Sequence, residues 1–289
     1  MASSNFDSHE RFVEINNHIH LSLVHATTIV GNESWSGRNR IPWHRIFLIA
    51  AAKGGIGGEV IDHSLKTKNS VSLKPGKMYF LPAGHDFEFA FHRGMRLLGF
   101  HFKLELFSGF DLLQNQTRSV SREIPAAELA GFDEALSNLK SIGDMAALRG
   151  LFLSTVGKLV GLRLERTLSL IAAHRKYRGV FDFLEKNCRA EIPVGRFARQ
   201  AGLSVGKFSR DFSREIGIPF KTFLTRKLFA RASEALLGSD QKVREISHDL
   251  GFSSEFYFSR FVKKHSGLPP TEYRAMARPK RGNKAGLYM

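Results

Sequence analysis

Between about residues 41 and 106 the apolar positions come in short runs of alternating pattern. RIFLIAA, GEVIDHSL, SVSL, KMYFLPA, FEFAF and MRLLGFHFKLEL are rich in β-branched and aromatic residues. Turns bearing glycine or proline separate them: KGGIGG, KPGK, PAGHD and HRGM. In FEFAF, Phe87, Phe89 and Phe91 share one strand face, with Glu88 and Ala90 on the other. Many short strands with regular turns predict an antiparallel sandwich or barrel. From about residue 126 the period becomes helical, in AAELAGFDEALSNLKS and in DMAALRGLFLSTVGKLVGLRLERTLSLI. Leu148, Leu151, Phe152 and Val156, continued by Leu159 and Val160, form one stripe. It serves either as core packing or as a dimer seam, because an exposed apolar helix face needs a partner. AAHRKYR, residues 172–178, reads as a linker, and ARPKRGNKAGLYM as a basic disordered tail.

The last third is helical and repeats itself. In GLSVGKFSRDFSREIGIPF, Phe208-Ser209-Arg210 precedes Gly217, and in GFSSEFYFSRFVKKHSGLPPTEYR, Phe258-Ser259-Arg260 precedes Gly267. Upstream of the first copy Val194, Phe197, Ala198 and Ala201 share a helix face, Pro193 suits its first turn, and Gly202-Leu203 makes a turn. Ser204 is a good N-cap for the next helix. There Phe208 and Phe212 face inward, which leaves Gly206, Arg210 and Arg214 outward, flanked by Lys207 and Ser209. The second copy repeats this logic. Val243, Ile246 and Leu250 point inward, Gly251-Phe252 turns, and Ser253 or Ser254 caps. Phe258 and Val262, with Phe261 beside them, make the inner face. Glu255, Phe256, Ser259, Arg260, Lys263 and Lys264 remain outward. The second turn holds one extra residue, Gly267 supplies a left-handed cap, and the following prolines stop the helix. Residues 219–237 read as one long helix that ties the copies together through Phe220, Phe223, Leu224, Leu236 and Leu237. Helix, tight turn and helix with a basic outer face is how a helix-turn-helix offers a reading helix to a major groove.

Charge sharpens this picture. The 289-residue chain carries a net +16 and is long enough for two domains with proper cores. From Arg175 onward there are 24 Lys and Arg against 11 Asp and Glu, a net +13, and the longer first part carries only +3. A basic C-terminal third points to a polyanion, most often nucleic acid. The single cysteine, Cys188, excludes an internal disulfide and any multi-cysteine zinc site, and fits a reducing cytosol. The N-terminus lacks a basic-then-apolar signal pattern, and the longest apolar run, IFLIAAA, is far short of the ~20 residues of a membrane helix. A cytoplasmic protein that does not contact membrane is expected. A cupin-type metal site would need a close His-x-His pair and a carboxylate converging inside a barrel, and His85, His92 and His101 are not spaced as such a pair. Neither a metal nor a cofactor is expected, and there is no Gly-rich phosphate loop or Ser/His/Asp pattern.

Residues 177–275 resemble the DNA-binding domain of the AraC/XylS family of regulators. The resemblance rests on Gly251-Phe252, Tyr257-Phe258-Ser259-Arg260, Lys263-Lys264, Gly267, Pro270 and Tyr273-Arg274, together with two helix-turn-helix units joined by one helix. Val262 stands where the family usually has a second Phe, and Leu228 where it usually has Arg; neither removes a reading position. Arg40 and Trp43 before the first strand, LKPGKMYFLPAGHDFEF and GFHFKLEL resemble the family's cupin-like effector and dimerisation domain. The implied organisation is α+β and multidomain: a cupin-like antiparallel β-barrel at 1–125, a helical dimerisation or linker segment at 126–172, an all-α DNA-binding domain with two helix-turn-helix motifs at 173–278, and a basic tail at 279–289. The resemblance implies a double-stranded DNA operator read by Ser204, Gly206, Lys207, Ser209, Arg210 and Arg214, and by Ser254, Glu255, Phe256, Ser259, Arg260, Lys263 and Lys264. It implies a small-molecule effector, a sugar among the candidates, held near Arg40, Trp43 and His85. It further implies a homodimer, and RNA polymerase as a partner if the protein activates. The expected function is therefore ligand-responsive transcriptional regulation, without enzymatic activity. The competing reading is a cupin-type sugar-modifying enzyme with a basic accessory domain; bound metal with turnover would favour it, saturable operator binding the regulator.

Overall fold

The computed structural model of the chain describes residues 13, 17–65, 69–106, 110–161 and 164–275; the basic tail expected at 279–289 lies outside them. The described residues form two compact units, one from 20–104 with 116–161, the other from 13, 17–19, 105–106 and 110–115 with 164–275.

The first unit is built on nine strands: β1 (Ile19–Val30), β2 (Trp35–Arg40), β3 (His44–Ala51), β4 (Gly58–Asp62), β5 (Asn69–Leu73), β6 (Lys77–Leu81), β7 (Asp86–Phe91), β8 (Arg96–Leu106) and β9 (Val120–Glu123). They make a five-stranded sheet in the order β1-β8-β3-β6-β9 and a four-stranded sheet in the order β2-β7-β4-β5. Neighbouring strands run antiparallel, with Ile46 opposite both Phe80 and Phe100, and Val60 opposite both Val71 and Phe89. β7 behaves as its alternation predicts: Phe87, Phe89 and Phe91 are buried and Glu88 is exposed. They meet Phe47, Ile49, Val60, Leu73, Tyr79, Leu81 and Leu97 in the core between the sheets. β4 approaches β7 so closely that a Cβ on Gly58 would lie 2.2 Å from the Ala90 carbonyl oxygen, which reserves that position for glycine.

Strand β3 is buried on both faces from His44 to Ile49. Arg45, Phe47 and Ile49 face the other sheet. The opposite face, with Phe100 and Phe102 of β8, is covered by helices α1 (Ala126–Ser137) and α2 (Ile142–Val160). Phe152 of α2 lies with its ring centroid 5.1 Å from Phe100 and 4.9 Å from Phe102, and Phe132 of α1 is 5.4 Å from Phe100. Leu148, Phe152, Val156 and Leu159 are all buried. Of the two uses open to this stripe, the structure selects core packing. A capping box of Ser141 and Asp144 starts α2, and Gly161, at φ 62°, ends it.

Two strands lie upstream of the expected start. β1 and β2 are rich in Thr, Ser, His, Arg and Asn, and their polar alternation hides their strand character. Arg40 therefore does not precede the first strand: it ends β2, and Trp43 stands in the turn from β2 to β3.

The second unit is helical: α3 (Leu164–Lys176), α4 (Arg178–Asn187), α5 (Val194–Gln200), α6 (Val205–Ile216), α7 (Phe220–Gly238), α8 (Val243–Asp249), α9 (Glu255–Ser266) and α10 (Pro270–Ala275). The expected linker at 172–178 is instead the end of α3 and the start of α4. Tyr177 between them is 1% exposed, with its ring 5.3 Å from Phe212 and 5.9 Å from Phe208. Residues 110–115, sequentially the continuation of β8, belong to this unit: Phe110 packs 6.3 Å from Phe223, and Gln114 Nε2 donates to the Ile216 carbonyl at 3.4 Å. Among the described residues no single helix is long and apolar enough to cross a membrane.

Phe152 fixes α2 to the sheet. Phe152→Ala should cost about 3–5 kcal/mol of stability in denaturant unfolding of the full chain, through lost burial and an unfilled cavity. A second expectation concerns pH. Burial, reinforced by the charges of Arg45 and His25, holds the His101 imidazole well below its ordinary 6.5, and burial also lowers His25. The unfolded chain protonates both as pH falls through 6.5, whereas the folded chain resists, so stability present above that pH is lost below it. The denaturation midpoint should fall between about pH 7.5 and about pH 5.5, and His101→Gln should flatten the slope.

Candidate nucleic-acid interface

The first helix-turn-helix is α5, the turn 201–204 and α6. Gly202, at φ 63°, allows the turn, and Leu203 N–H donates back to the Ala198 carbonyl at 3.0 Å. Ser204 caps α6, its Oγ accepting from Lys207 N–H at 3.4 Å. Phe208 and Phe212 are fully buried and pack on Phe220 of α7 at 4.9 and 5.0 Å. The opposite face is open: Gly206, Lys207, Arg210 and Arg214 are exposed and Ser209 is half-buried.

Electrostatics divide this face. Asp211 pairs with Lys207 Nζ at 3.0 Å and Arg214 Nη2 at 2.9 Å. The hydrogen bond from Lys207, then the neighbouring charges, hold its carboxyl below the usual range. Arg210 lies alongside the bare Gly206 and makes no hydrogen bond or ion pair among the described residues. Its five N–H donors stand free for a base edge or a phosphate.

The second unit is α8, the turn 250–254 and α9. Gly251 takes φ 70°, and the turn is one residue longer than the first, as the spacing predicted. Of the two candidate caps, Ser254 does the work, accepting from Tyr257 N–H at 3.3 Å. Phe258 and Val262 are fully buried, so Val262 fills the place of the family's Phe without opening that face. Glu255, Phe256, Arg260, Lys263 and Lys264 are exposed and Ser259 is half-buried. Arg260 lies over the Phe256 ring at 5.7 Å, with no ion pair to Glu255 among the described residues. This copy is more aromatic than the first: Phe256 is 64% exposed and Tyr257 57%. Tyr257 was missed as an outward residue because it sits inside the matching motif beside the buried Phe258. Arg196 and Arg199 were missed as well; exposed on α5, they line a groove with Ser204 and Val205.

The connecting helix α7 runs between the two copies and is held at several points along its length. Leu228 is buried in it. Lys227 Nζ and Arg231 Nη2 grip Glu185 of α4 at 2.5 and 3.1 Å. At its far end Tyr273 of α10 donates to Ser233 Oγ at 3.2 Å, and Arg274 Nε donates to the Leu236 carbonyl at 3.1 Å. Both reading helices end on left-handed glycines, Gly217 at φ 91° and Gly267 at φ 82°.

The candidate effector residues do not converge as a trio. Arg40 is 3.9 Å from Asp86, which Arg38 holds more closely at 2.7 Å. His85 Nδ1 lies 2.8 Å from the buried Asp62 carboxylate. Trp43 stacks on His101 at 6.2 Å. Arg45, which reasoning from the sequence passed over as part of an apolar strand, and His101, weighed there only as a metal ligand, are buried polar groups of this unit. Among the described residues no group of three or more His, Cys, Asp or Glu is placed to hold a metal ion.

Residues 197–276 match the family described as a helix-turn-helix domain. The chain is 32% identical over 98 residues to the HTH-type transcriptional activator Btr of Bacillus subtilis, a match covering 34% of this chain and 18% of Btr. It is 27% identical over 92 residues to the HTH-type transcriptional regulator ExsA of Pseudomonas aeruginosa, covering 32% of this chain and 33% of ExsA. The chain thus spans a third or less of the length of these two relatives. Apo ToxT from Vibrio cholerae shares the fold, with a TM-score of 0.52 over 90% of this chain and 98% of that one at 12% identity. The paired helix-turn-helix units on one connecting helix make the C-terminal third a helix-turn-helix domain similar to those of AraC/XylS regulators, and the chain as a whole shares the fold of ToxT.

Proposed function

We propose that this protein is a ligand-responsive, sequence-specific transcriptional regulator that binds duplex DNA. In this reading α6 and α9 enter successive major grooves about one helical turn, ~34 Å, apart. The observation that carries it is the recurrence of one exposed face in two copies, each with an arginine two positions after a buried Phe and outside any ion pair among the described residues. Lys207, Arg214, Lys263 and Lys264 set affinity by neutralising phosphates, and Arg210 and Arg260 reach base edges. The barrel holds a small effector that changes how the DNA units are presented, with a sugar among the candidates from the family resemblance. A homodimer completes the reading. The α2 stripe being spent on the core, exposed Leu139, Ile142 and Met145 near the start of that helix are the apolar surface left for a second copy. The protein works in the cytoplasm without a catalytic role, and meets RNA polymerase where its operator lies upstream of a promoter. No observation favours the alternative of a sugar-modifying enzyme.

Mapping the DNA bound by the full chain across a genome, with and without candidate ligands, identifies the operator. Affinity for it should fall by on the order of 10³ or more between about 50 and 200 mM salt if about six phosphates are contacted. A binding constant flat across that range would refute the electrostatic reading.

Arg210→Ala should cost roughly 1–3 kcal/mol on the operator and relax preference at one base pair while sparing nonspecific DNA. If Arg210 instead holds a phosphate, both kinds of binding weaken together and the salt slope shrinks by about one. Arg260→Ala should have the smaller effect, because its guanidinium already rests on Phe256. Unchanged operator affinity and selectivity in both folded variants would show that the reading face has been assigned wrongly.

A further inference from the structure

We infer that Phe256 is a specificity-determining residue that reads the 5-methyl group of a thymine in the major groove. The inference rests on the DNA-binding reading of α9 and names what its first turn recognises.

Among the described residues Phe256 and Tyr257 are the only exposed phenylalanine, tyrosine or tryptophan. Single exposed apolar side chains are ordinary, but these two rings stand together on the first turn of α9, just after its Ser254 cap. The first turn of a reading helix is where base edges are met. Helical spacing sets Phe256 opposite the buried Phe258 and Val262, on one outward stripe with Ser259, Arg260 and Lys263. Two contacts fix the place of its ring. Tyr257 stands edge-on to it, with centroids 5.9 Å apart and planes at 71°, and the Arg260 guanidinium lies over it at 5.7 Å. In the first copy the same register position, two before the inward Phe, is Gly206. There the outer face of the first turn is bare, with Arg210 alongside. The two copies therefore differ most in chemistry at the position where α9 carries a ring.

What such a ring recognises follows from its chemistry. A phenyl ring has no hydrogen bond to give a base edge. Of the groups that base pairs present in the major groove, only the thymine 5-methyl is apolar. The phosphate backbone does not suit this turn, because the ring offers it nothing and the exposed Glu255 beside it repels it. Cations for the backbone lie further along, where Lys263 and Lys264 are exposed in the last turn. The turn that carries Glu255 and Phe256 therefore suits base edges, the carboxylate accepting from a cytosine amine and the ring covering a methyl group. Arg260 adds a geometric constraint. Its guanidinium is 5.7 Å from the ring, and successive base pairs are ~3.4 Å apart, so the group that Arg260 touches lies within about two base pairs of that thymine.

The test uses the full chain to select duplexes from a random pool. The enriched duplex is then resynthesised with each thymine in turn replaced by deoxyuridine, which pairs alike and lacks only the 5-methyl group. At one position this replacement should weaken binding of the native chain by about 4-fold, the worth of one buried methyl group. Phe256→Ala changes an exposed side chain and should melt with the native chain. It should bind the thymine and deoxyuridine duplexes equally at that position, while any thymine met by α6 keeps its effect. Phe256→Gln, whose amide matches adenine instead, should in a repeated selection lose thymine at that position and keep the rest of the sequence. If Phe256→Ala binds too weakly to measure, the Phe256→Gln selection decides alone. Tolerance of deoxyuridine at every position, a native pattern of sensitivity kept in Phe256→Ala, or thymine kept in the Phe256→Gln selection overturns the thymine assignment and leaves DNA binding standing. Failure of the full chain to enrich any duplex removes both.

Discussion

The aromatic knot in which Phe208, Phe212, Phe220 and Phe223 meet is the constraint on which the DNA-facing half depends. Ring centroids in it lie 4.9 to 6.5 Å apart, and Tyr177, Phe181 and Phe197 extend it into α3, α4 and α5. A helix of twelve residues such as α6 is marginal by itself in water. Seated on this knot it becomes a stiff support whose outer face can differ in chemistry without loss of fold. The cap at Ser204 and the left-handed Gly217 then set where it begins and ends. In the second copy Phe258 and Val262 take the inward places, Ser254 the cap and Gly267 the stop. The buried pattern is thus repeated while the exposed one varies between the two units.

In the strand-rich unit the governing constraint is the central strand β3. Because it is covered on both faces, the unit needs two separate apolar layers. One lies between the sheets and the other is supplied by α1 and α2 against Phe100 and Phe102. The helical stripe therefore has its partner within the same unit. Arg45 is the exception on this strand: it is 0% exposed, and its unmet donors carry an energetic cost that an apolar residue of similar shape would not.

Local chemistry was legible in the sequence. Both reading helices, the long connecting helix, the cap at Ser204, a second cap at Ser253 or Ser254 and the unequal turns follow from the spacing of apolar residues, Ser and Gly over a few positions; the structure chose Ser254. The outward face of α6 followed too, since a 3.6-residue period fixes which side chains oppose Phe208 and Phe212. The strands with strong aromatic alternation were equally plain. β1 and β2 were not, because their strand identity comes from hydrogen bonds to β8 and β7 and not from their own polar residues.

By itself, then, the sequence determined the inward faces of the helix-turn-helix helices and of the aromatic strands, where the two helices of the repeated device start and stop, and that a basic helical third follows a strand-rich part. Tertiary structure decided which surface meets each inward face. It turned residues 172–178 from a linker into packed helix by burying Tyr177, and drew Phe110 and Gln114 onto α6 and α7. It gave the Asp211 carboxylate to Lys207 and Arg214 and left Arg210 free. It enclosed Arg45 without a counter-ion. Periodicity is a property of a few neighbouring residues, whereas a partner is chosen by chain segments far apart in sequence, and only the folded arrangement brings those within reach.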